Sequence, residues 1–229
     1  MKTLIIIPAY NEEKNIKRVV DNIISNYPQY DYIVVNDGSR DGTLNICKKN
    51  KYNVLNLYTN LGLAGAFQAG MMYAYEYDYD YAIQIDGDGQ HKVEYIEDLI
   101  KCAQEKDMDI VIGSRFIRKK KPIILRMIGS RLISCFIKLT TGQKICDPTS
   151  GMRLFDKKVI KEFALNINYG PEPDTLAFMI RNGLNCQEVQ VEMDERIAGE
   201  SYLTLKNSLL YMAKMFTSIL FVQWVRRRG

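Results

Sequence analysis

Short runs of β-branched and apolar residues alternate with segments of helical periodicity through the first half of this 229-residue chain. A helical segment between successive strand-like runs is the pattern of βαβ units, which favours a mainly parallel sheet. The predicted strands are residues 4–7, 32–35, 54–58, 81–85 and 110–113. The predicted helices are residues 13–25, 43–50, 64–77 and 93–105. We therefore predict an α/β fold, with helices flanking a mainly parallel sheet.

The composition is that of a globular protein with a substantial core. Apolar residues make up 47% of the chain and charged residues 25%, which excludes the disordered and fibrous classes. A basic run at residues 118–121, followed by Pro122, separates the regular first half from a less regular second half. We predict a single domain, with one half at residues 1–114, a second at 115–202 and a final helical segment at 203–229.

The scarcity of some residue types limits the chemistry that the chain can perform. Its five cysteines are widely spaced without a CxxC pair, and it has one histidine, His91. A disulfide framework, a structural zinc site and a multi-histidine metal centre are therefore not expected. The formal charge of +4 without a recognition motif does not indicate a nucleic-acid partner. Chemistry must come from carboxylates, arginines and a hard metal ion.

The N-terminal apolar run is brief. It ends at Pro8 and is followed by acidic residues, which makes it too short for the apolar core of a secretory signal. We expect a reduced, cytoplasmic protein.

Acidic residues follow three of the predicted strands. Glu12 follows the first strand, Asp37 the second, and Asp86 and Asp88 the fourth. In a parallel sheet these positions meet at one edge, where ligands bind. Two aspartates separated by one glycine suit Mg²⁺ or Mn²⁺, which accepts a few carboxylates together with substrate phosphates. Asp and Gly are also the commonest turn residues, so each turn taken alone has a purely structural explanation.

Four segments of the first half resemble the family 2 glycosyltransferases. They are IIIPAYNEE at 5–13, VVNDGSRDGT at 34–43, NLGLAGAFQAG at 60–70 and IQIDGDGQH at 83–91. The resemblance implies the GT-A fold, a Rossmann-like sheet with an inverting sugar-transfer site. It also implies a divalent cation, manganese or magnesium, and a nucleotide-diphosphate sugar donor carrying UDP, GDP or dTDP.

The resemblance also assigns roles to individual positions. Residues 8, 10 and 12 would contact the base and ribose of the donor, and Asp37 would hydrogen-bond the base. Asp86 would lie near the ribose and the metal, and Asp88 would be the principal metal ligand. Gly65 resembles a small-residue turn that lets the nucleotide approach the backbone. The residues at positions 8, 10 and 12, which would contact the base and ribose, are Pro8, Tyr10 and Glu12.

The second half is similar to the dolichol-phosphate and polyprenyl-phosphate branch of the family. In that branch arginines and a serine bind the phosphate of a lipid acceptor, and the planar guanidinium fork matches phosphate oxygens. A solvated helix face equally explains an arginine at position 126. The acceptor-binding residues implied are Arg115, Arg126, Ser130, Arg153 and Arg196.

The carboxylate on the acceptor side has two candidates. Asp147 matches the polyprenyl-phosphate branch, whereas Glu172, with Asp174 close by, stands where the wider family carries its catalytic acid. Transfer to a hydroxyl needs a base within hydrogen-bond reach. A phosphate acceptor is already ionised near neutral pH, so the acid would then orient the acceptor or the metal.

Two segments of the second half are amphipathic. Residues 122–139 mix basic residues with large apolar ones, and the segment from 203 contains Trp224 and three closing arginines. This pattern is typical of interfacial helices. A core helix or a dimer interface would give a similar pattern. We predict peripheral attachment to the inner face of the cell membrane, with a small membrane protein or a second copy as further partners.

The combined expectation is a metal-dependent glycosyltransferase that moves a sugar from a nucleotide donor to a polyprenyl phosphate. The alternative within enzymes is transfer, for example of rhamnose or glucose, to a lipid-linked polysaccharide in cell-wall or surface glycan synthesis. A non-catalytic nucleotide-sugar-binding subunit is the alternative from another class. The presence of both Asp86 and Asp88 favours an enzyme.

Overall fold

A computed structural model describes residues 1–122, 125–166, 169–194 and 205–222 of the chain. Its centre is a seven-stranded sheet in the order β3-β2-β1-β4-β6-β5-β7. The strands are β1 (Thr3–Ala9), β2 (Asp31–Asp37), β3 (Val54–Leu57), β4 (Tyr81–Gln84), β5 (Ile110–Ser114), β6 (Arg153–Asp156) and β7 (Cys186–Gln190). All neighbouring pairs are parallel except those of β6, which runs antiparallel to β4 and β5. The predicted α/β class with a mainly parallel sheet is confirmed.

Eight α-helices accompany the sheet within the described ranges. They are α1 (Ile16–Asn26), α2 (Thr43–Lys49), α3 (Gly62–Glu76), α4 (Ile96–Lys106), α5 (Leu125–Thr141), α6 (Lys157–Leu165), α7 (Pro173–Arg181) and α8 (Leu205–Thr217). A 3-10 turn, Val93–Tyr95, precedes α4, and a π-helical turn, Ser218–Val222, follows α8.

The strands of the first half are apolar along their whole length because helices cover both faces of the sheet. In β1, Leu4 and Ile6 face the core that contains Phe67 of α3. Ile5 and Ile7 face the opposite core, which contains Val20 of α1. All four β1 side chains are fully buried. A parallel strand covered on both faces reads as a continuous apolar run, which is the signal in the sequence.

The second half contains four elements that the sequence does not predict, namely β6, α6, α7 and β7. The most consequential is β6, because it runs against the direction of its neighbours. Arg153, the first residue of β6, pairs with Gln84, the last residue of β4. The segment that leads into β6 therefore arrives at the same sheet edge as the turn after β4.

Helices α5 and α8 pack against each other at a close crossing. A side chain at Gly129 of α5 would overlap Met212 of α8, since a Cβ there would lie 1.8 Å from the Met212 sulfur. The Phe136 and Phe216 rings meet edge to face with centroids 4.6 Å apart. Among the helices of the described ranges, none has the length and hydropathy needed to cross a bilayer. Trp224 and the closing arginines lie outside the described residues.

Candidate functional site

A cavity of about 440 Å³ opens where β1, β2 and β4 end, and we call it the first cavity. Parallel strands bring these three ends to one edge of the sheet, and the start of α3 closes the side. Six of the seven residues predicted to bind the nucleotide sugar line this one cavity. They are Pro8, Tyr10, Glu12, Asp37, Asp86 and Asp88.

Asp37 connects the β2 turn to the loop before α3. Its side chain is nearly buried, and its Oδ1 accepts a hydrogen bond of 2.7 Å from the Leu61 N–H. The next residue, Gly38, has a φ of +62°, and a Cβ there would lie 2.7 Å from the Asn60 nitrogen. Glycine is needed at this position both for the left-handed backbone and for the close approach of the two loops.

Gly65 does not form a turn, and this part of the prediction is wrong. It lies in the first turns of α3 and is not among the residues lining the first cavity. A Cβ at Gly65 would lie 2.4 Å from the Leu61 Cβ, so the missing side chain makes room for Leu61. Packing within the start of α3 therefore accounts for this glycine.

Asp86 and Asp88 project from the turn after β4. Asp88 is 4% exposed, and its Oδ1 accepts a hydrogen bond of 3.0 Å from the Gln90 N–H. The Arg18 guanidinium of α1 donates a hydrogen bond of 3.0 Å to the Asp88 carbonyl, which holds the turn against α1. Asp86 has a more open side chain, 41% exposed, whose Oδ1 accepts from the Gln84 amide at 3.1 Å.

His91 supports Asp86 from inside the protein. The Nδ1 atom of the buried imidazole accepts a hydrogen bond of 3.0 Å from the Asp86 N–H. The ring proton of the neutral form is therefore on Nε2, which lies 3.8 Å from Asp86 Oδ2. Gly151 permits this packing, since a Cβ there would lie 2.7 Å from Asp86 Oδ2. His91 acts on the position of Asp86 and is not a lining residue of the first cavity.

The chemistry of this turn fits a hard divalent cation that also binds a diphosphate. Within the described ranges there is no cluster of three or more His, Cys, Asp or Glu side chains that could enclose a metal ion. Asp86 and Asp88 present two carboxylates beside one cavity. Mg²⁺ is usually held by one or two carboxylates, with substrate phosphates and waters completing its shell. The residues present match that mode of binding.

A second cavity of about 410 Å³ adjoins the first, and the two share Asp86 and Leu63 as lining residues. The segment before β6 and the start of α7 form its other sides. Besides Asp86, its polar lining residues are Gln84, Thr149, Ser150, Arg153, Glu172 and Tyr211. The two cavities therefore lie on either side of a single exposed carboxylate.

Glu172 faces the second cavity at the residue preceding α7. Its Oε2 accepts a hydrogen bond of 2.5 Å from the Tyr211 hydroxyl of α8. Burial and the adjacent Glu172 carboxylate raise the pKa of Tyr211 well above its usual range, so the phenol remains a donor. Asp174 instead accepts from Ser218 at 2.5 Å and is not a lining residue of either cavity.

Asp147 is not placed to act as a base, contrary to one of the two predictions. It is fully buried and lines neither cavity. Both of its oxygens accept from the Arg115 guanidinium, at 2.7 and 2.9 Å. The Asp147 and Cys146 N–H groups donate to the Glu188 carboxylate of β7. A buried carboxylate paired in this way fixes its loop and cannot reach a substrate.

Arg153 does not present a free guanidinium to an acceptor phosphate, which is a second correction. It is 3% exposed and donates to the carbonyls of Pro148, Ser150 and Pro171. Burial lowers the pKa of its guanidinium, and the nearby Glu172 carboxylate opposes this effect. The side chain lines the second cavity but serves to hold the loops before β6 and α7 together.

Two other predicted acceptor residues, Arg115 and Ser130, contact the same loop as Arg153, at Asp147 and Thr149. Arg115 is paired with Asp147. Ser130 is buried and accepts from the Lys121 ammonium at 2.7 Å. The side chain of Arg126 and all of Arg196 lie outside the described residues. Tyr211 and Glu188 could not be predicted, because each contacts a residue more than 35 positions away in the chain.

The model of the glycosyl transferase family 2 matches residues 4–163. The chain is 31% identical over 211 residues to the UDP-N-acetylglucosamine–dolichyl-phosphate N-acetylglucosaminyltransferase of Methanococcus voltae, covering 82% of this chain and 84% of that one. It is 30% identical over 217 residues to the undecaprenyl-phosphate mannosyltransferase of Micrococcus luteus, covering 89% and 88%. It is 28% identical over 219 residues to the polyprenol monophosphomannose synthase of Mycolicibacterium smegmatis, covering 90% and 82%.

The fold also has a solved counterpart. The glucosyl-3-phosphoglycerate synthase of Mycobacterium tuberculosis, in complex with Mn²⁺, uridine diphosphate and phosphoglyceric acid, superposes with a TM-score of 0.71. The superposition covers 100% of this chain and 80% of that one at 16% sequence identity. This similarity supports the GT-A fold.

Proposed function

Because this chain belongs to glycosyl transferase family 2 and is a glycosyltransferase, we propose that it transfers a sugar from a nucleotide-diphosphate donor to a polyprenyl phosphate. The observation that carries this proposal is the meeting of the two cavities at Asp86. One cavity would hold the nucleotide and the other the acceptor, so that the transferred sugar lies where they join. Transfer is by direct displacement with inversion, as the family resemblance implies.

The first cavity supports the assignment of the donor. Pro8, Tyr10 and Asp37 would contact the base and ribose, and Asp86 and Asp88 would face the diphosphate through a divalent cation, Mn²⁺ or Mg²⁺. When bound, such an ion stabilises the charge that develops on the diphosphate leaving group. The donor nucleotide is UDP, GDP or dTDP, and the solved counterpart holds uridine diphosphate with Mn²⁺.

The acceptor is proposed from the relatives, whose names include dolichyl, undecaprenyl and polyprenol phosphate chemistry. A phosphate monoester is ionised near neutral pH and attacks without a strong base. Glu172, held by Tyr211 and lining the second cavity, would then orient the acceptor. Arg153 would keep the Glu172 loop in place.

The apolar surface of two helices supports action at a membrane surface, which we propose to be the cytoplasmic face. In α5, Ile128, Leu132, Cys135 and Leu139 are exposed along one side, and we call them the apolar stripe. Leu210 of α8 is also exposed, at 61%. Amphipathic helices of this kind bury an apolar side in the interface region of a bilayer.

A second acceptor class is favoured by the same carboxylate. Glu172 faces the second cavity and accepts a hydrogen bond, which would also suit removal of a proton from a sugar hydroxyl. Transfer to a lipid-linked polysaccharide would use it in this way.

The test is a panel of radiolabelled nucleotide sugars with polyprenyl phosphate, following label into the organic phase. We expect lipid label with one donor, which is lost on chelation and in Asp88→Asn. Glu105→Gln removes the same charge from an exposed position of α4 and is expected to retain activity. No lipid label with any donor, while one nucleotide sugar binds with metal, would contradict the phosphate acceptor. Label appearing in a lipid-linked glycan instead would support the hydroxyl acceptor.

A further inference from the structure

A third cavity, of about 410 Å³, lies in the second half of the chain, and we call it the basic cavity. It shares no lining residue with the first or second cavity. Residues from the loop after β5, from α5 and from the loop after α5 surround it. Six of them are basic, namely Arg118, Lys119, Lys120, Lys121, Arg131 and Lys144.

The positive charge of the basic cavity is largely uncompensated. Lys119 forms an ion pair with Glu192 at 2.7 Å. In the part of the chain that the structure describes, no carboxylate lies within ion-pair distance of the other five cations. Like charges held together around a concave surface focus a positive potential that attracts anions.

Lys121 is the most enclosed of the six. Its ammonium donates to the Ser130 hydroxyl at 2.7 Å and lies 3.5 Å from the Ser134 hydroxyl. The Arg131 guanidinium donates to the Lys121 carbonyl at 2.5 Å, which holds the loop against α5. Burial lowers the pKa of Lys121, and the Asp147 and Glu188 carboxylates nearby oppose this effect only in part. An anion in the cavity would further stabilise the charged ammonium.

The basic cavity is separated from the second cavity by two hydroxyl side chains. Ser130, which accepts from Lys121, lies 3.3 Å from the Thr149 hydroxyl, and Thr149 lines the second cavity. A phosphate bound in the basic cavity would therefore lie beside neither Asp86 nor Glu172, which line the second cavity and not the basic one.

The apolar stripe of α5 runs beside the basic cavity. Arg131 lines the cavity and neighbours Leu132 of the stripe, which is 53% exposed. Ile117 lines the cavity itself and is 42% exposed. Cations next to exposed apolar side chains match a membrane surface, where phosphates lie beside acyl chains. Inorganic phosphate would account for the cations but not for the stripe.

We propose that the basic cavity binds the phosphate headgroup of an anionic phospholipid, and that with the apolar stripe it docks the second half of the enzyme on the membrane. This rests on the proposed function for its setting, since a lipid acceptor is met at that surface. The bound phospholipid is a fixed contact and is not consumed. It orients the second cavity toward the bilayer.

The test measures vesicle binding without donor, metal or turnover, so it stands apart from the test of sugar transfer. Sedimentation with vesicles of phosphatidylcholine is compared with vesicles that also contain phosphatidylglycerol. The variant is Arg118→Gln with Lys120→Gln and Lys144→Gln. The charge-matched control is Lys48→Gln with Lys49→Gln and Lys161→Gln, all exposed and remote from the cavity.

Wild type is expected to prefer vesicles with phosphatidylglycerol, and the variant to lose about 100-fold of that affinity. The control should stay within about threefold, and binding to phosphatidylcholine alone should be unchanged in both. Thermal melting checks that each variant folds. The single change Lys144→Glu, on an exposed loop, is a second route and is expected to lower affinity about tenfold.

Three outcomes would overturn the proposal. The first is equal loss in variant and control, which would indicate only net charge. The second concerns phosphatidylcholine vesicles doped with polyprenyl phosphate. If wild type binds these more tightly than phosphatidylglycerol vesicles of equal charge, and the variant loses that binding, the occupant is the acceptor. The third is release of wild type by millimolar inorganic phosphate but not by chloride at equal ionic strength, which would indicate a free-phosphate site.

Discussion

The acidic residues near the site differ in what they bind, and this difference decides their roles. Asp147 binds Arg115 and is closed off from solvent. Asp174 is buried against Ser218. Glu172 receives a phenol hydrogen bond and still faces the second cavity. A carboxylate can act on a substrate only if an oxygen remains accessible, so Glu172 is the acceptor-side candidate.

The Tyr211 hydrogen bond should matter for turnover more than for stability. In Tyr211→Phe the ring is kept and the donor to Glu172 is lost. We expect kcat to fall about tenfold with the donor KM unchanged, since a hydrogen bond to a charged group contributes about 1.5–3 kcal/mol. Steady-state lipid labelling measures both constants.

Ser218→Ala is the matched control for Tyr211→Phe. It removes a hydrogen bond of the same 2.5 Å length between the same two regions of the chain, but to Asp174 instead of Glu172. We expect its kcat to stay within about twofold of wild type. Equal losses in the two variants would show that the C-terminal helix is merely stabilised by these contacts.

Among the elements, α6 begins with a cap that is unfavourable at neutral pH. Asp156 accepts the Val159 N–H at 2.9 Å, as a helix-capping residue does. Burial raises the pKa of Asp156 to about 6, and the Asp109 carboxylate nearby acts in the same direction. The ionised form is therefore disfavoured in the folded protein relative to the unfolded chain.

Asp156→Asn should stabilise the protein at high pH and have no effect at low pH. Above pH 6 the folded wild type carries a desolvated carboxylate, whereas below the unfolded pKa near 4 both states are protonated. Asn keeps the cap, so we expect a gain of about 1 kcal/mol at pH 8 after allowance for solvent screening. Urea unfolding at pH 8 and at about pH 3, below the unfolded pKa, measures it. Asp98→Asn, in the exposed first turn of α4, should show no such gain.

The close crossing of α5 and α8 depends on Gly129. In Gly129→Val the new side chain must displace Met212, whose sulfur lies 1.8 Å from where the Cβ would be. We expect a loss of about 1–3 kcal/mol in the free energy of unfolding, the usual range for overpacking. Adding Met212→Ala should restore part of that loss. Two additive losses would show that the two residues do not meet.

Elements of the first half were predictable because their strands are buried on both faces and therefore read as apolar runs. The strand β7 was not, since its sequence Cys-Gln-Glu-Val-Gln lies at the sheet edge and is mostly polar. The strand β6 has only four residues and begins and ends with charged ones. Short or edge strands leave little periodicity to detect.

Some residues of the candidate site could likewise be predicted from the sequence, and others could not. Residues at the ends of β1, β2 and β4 could be grouped from sequence because parallel strands end at one edge. The roles of Asp147 and Arg153 could not be predicted. The sequence does not show whether a charged side chain is buried in internal contacts or faces a cavity. The contact of Tyr211 with Glu172 joins residues 39 positions apart. No local pattern reports such a contact.

For the whole molecule, ligand binding should appear as added stability, because anything that binds the folded state alone shifts the unfolding equilibrium. With nucleoside diphosphate and Mn²⁺ at about 100 times Kd, the gain is about 2.7 kcal/mol. For a chain of this size we expect Tm to rise by roughly 5–10 °C. Thermal melting with and without chelator measures it.

Asp88→Asn should abolish the metal-dependent part of that rise, and Glu105→Gln should keep it. A rise of the same size in the presence of chelator would contradict the assignment of Asp86 and Asp88 as the ligands of the cation. Testing UDP, GDP and dTDP in turn would identify the base.

The position of β6 has a consequence for how this protein is made. The ribosome synthesises β5 before β6, yet β5 pairs only with β6 and β7, so a nascent chain that ends at residue 114 holds a strand without a neighbour. The outer edge of β4 is exposed over the same interval. Open strand edges template association with other chains. We therefore expect the first half expressed alone to associate through its open edges, so that domain exchange in this protein should include the whole sheet.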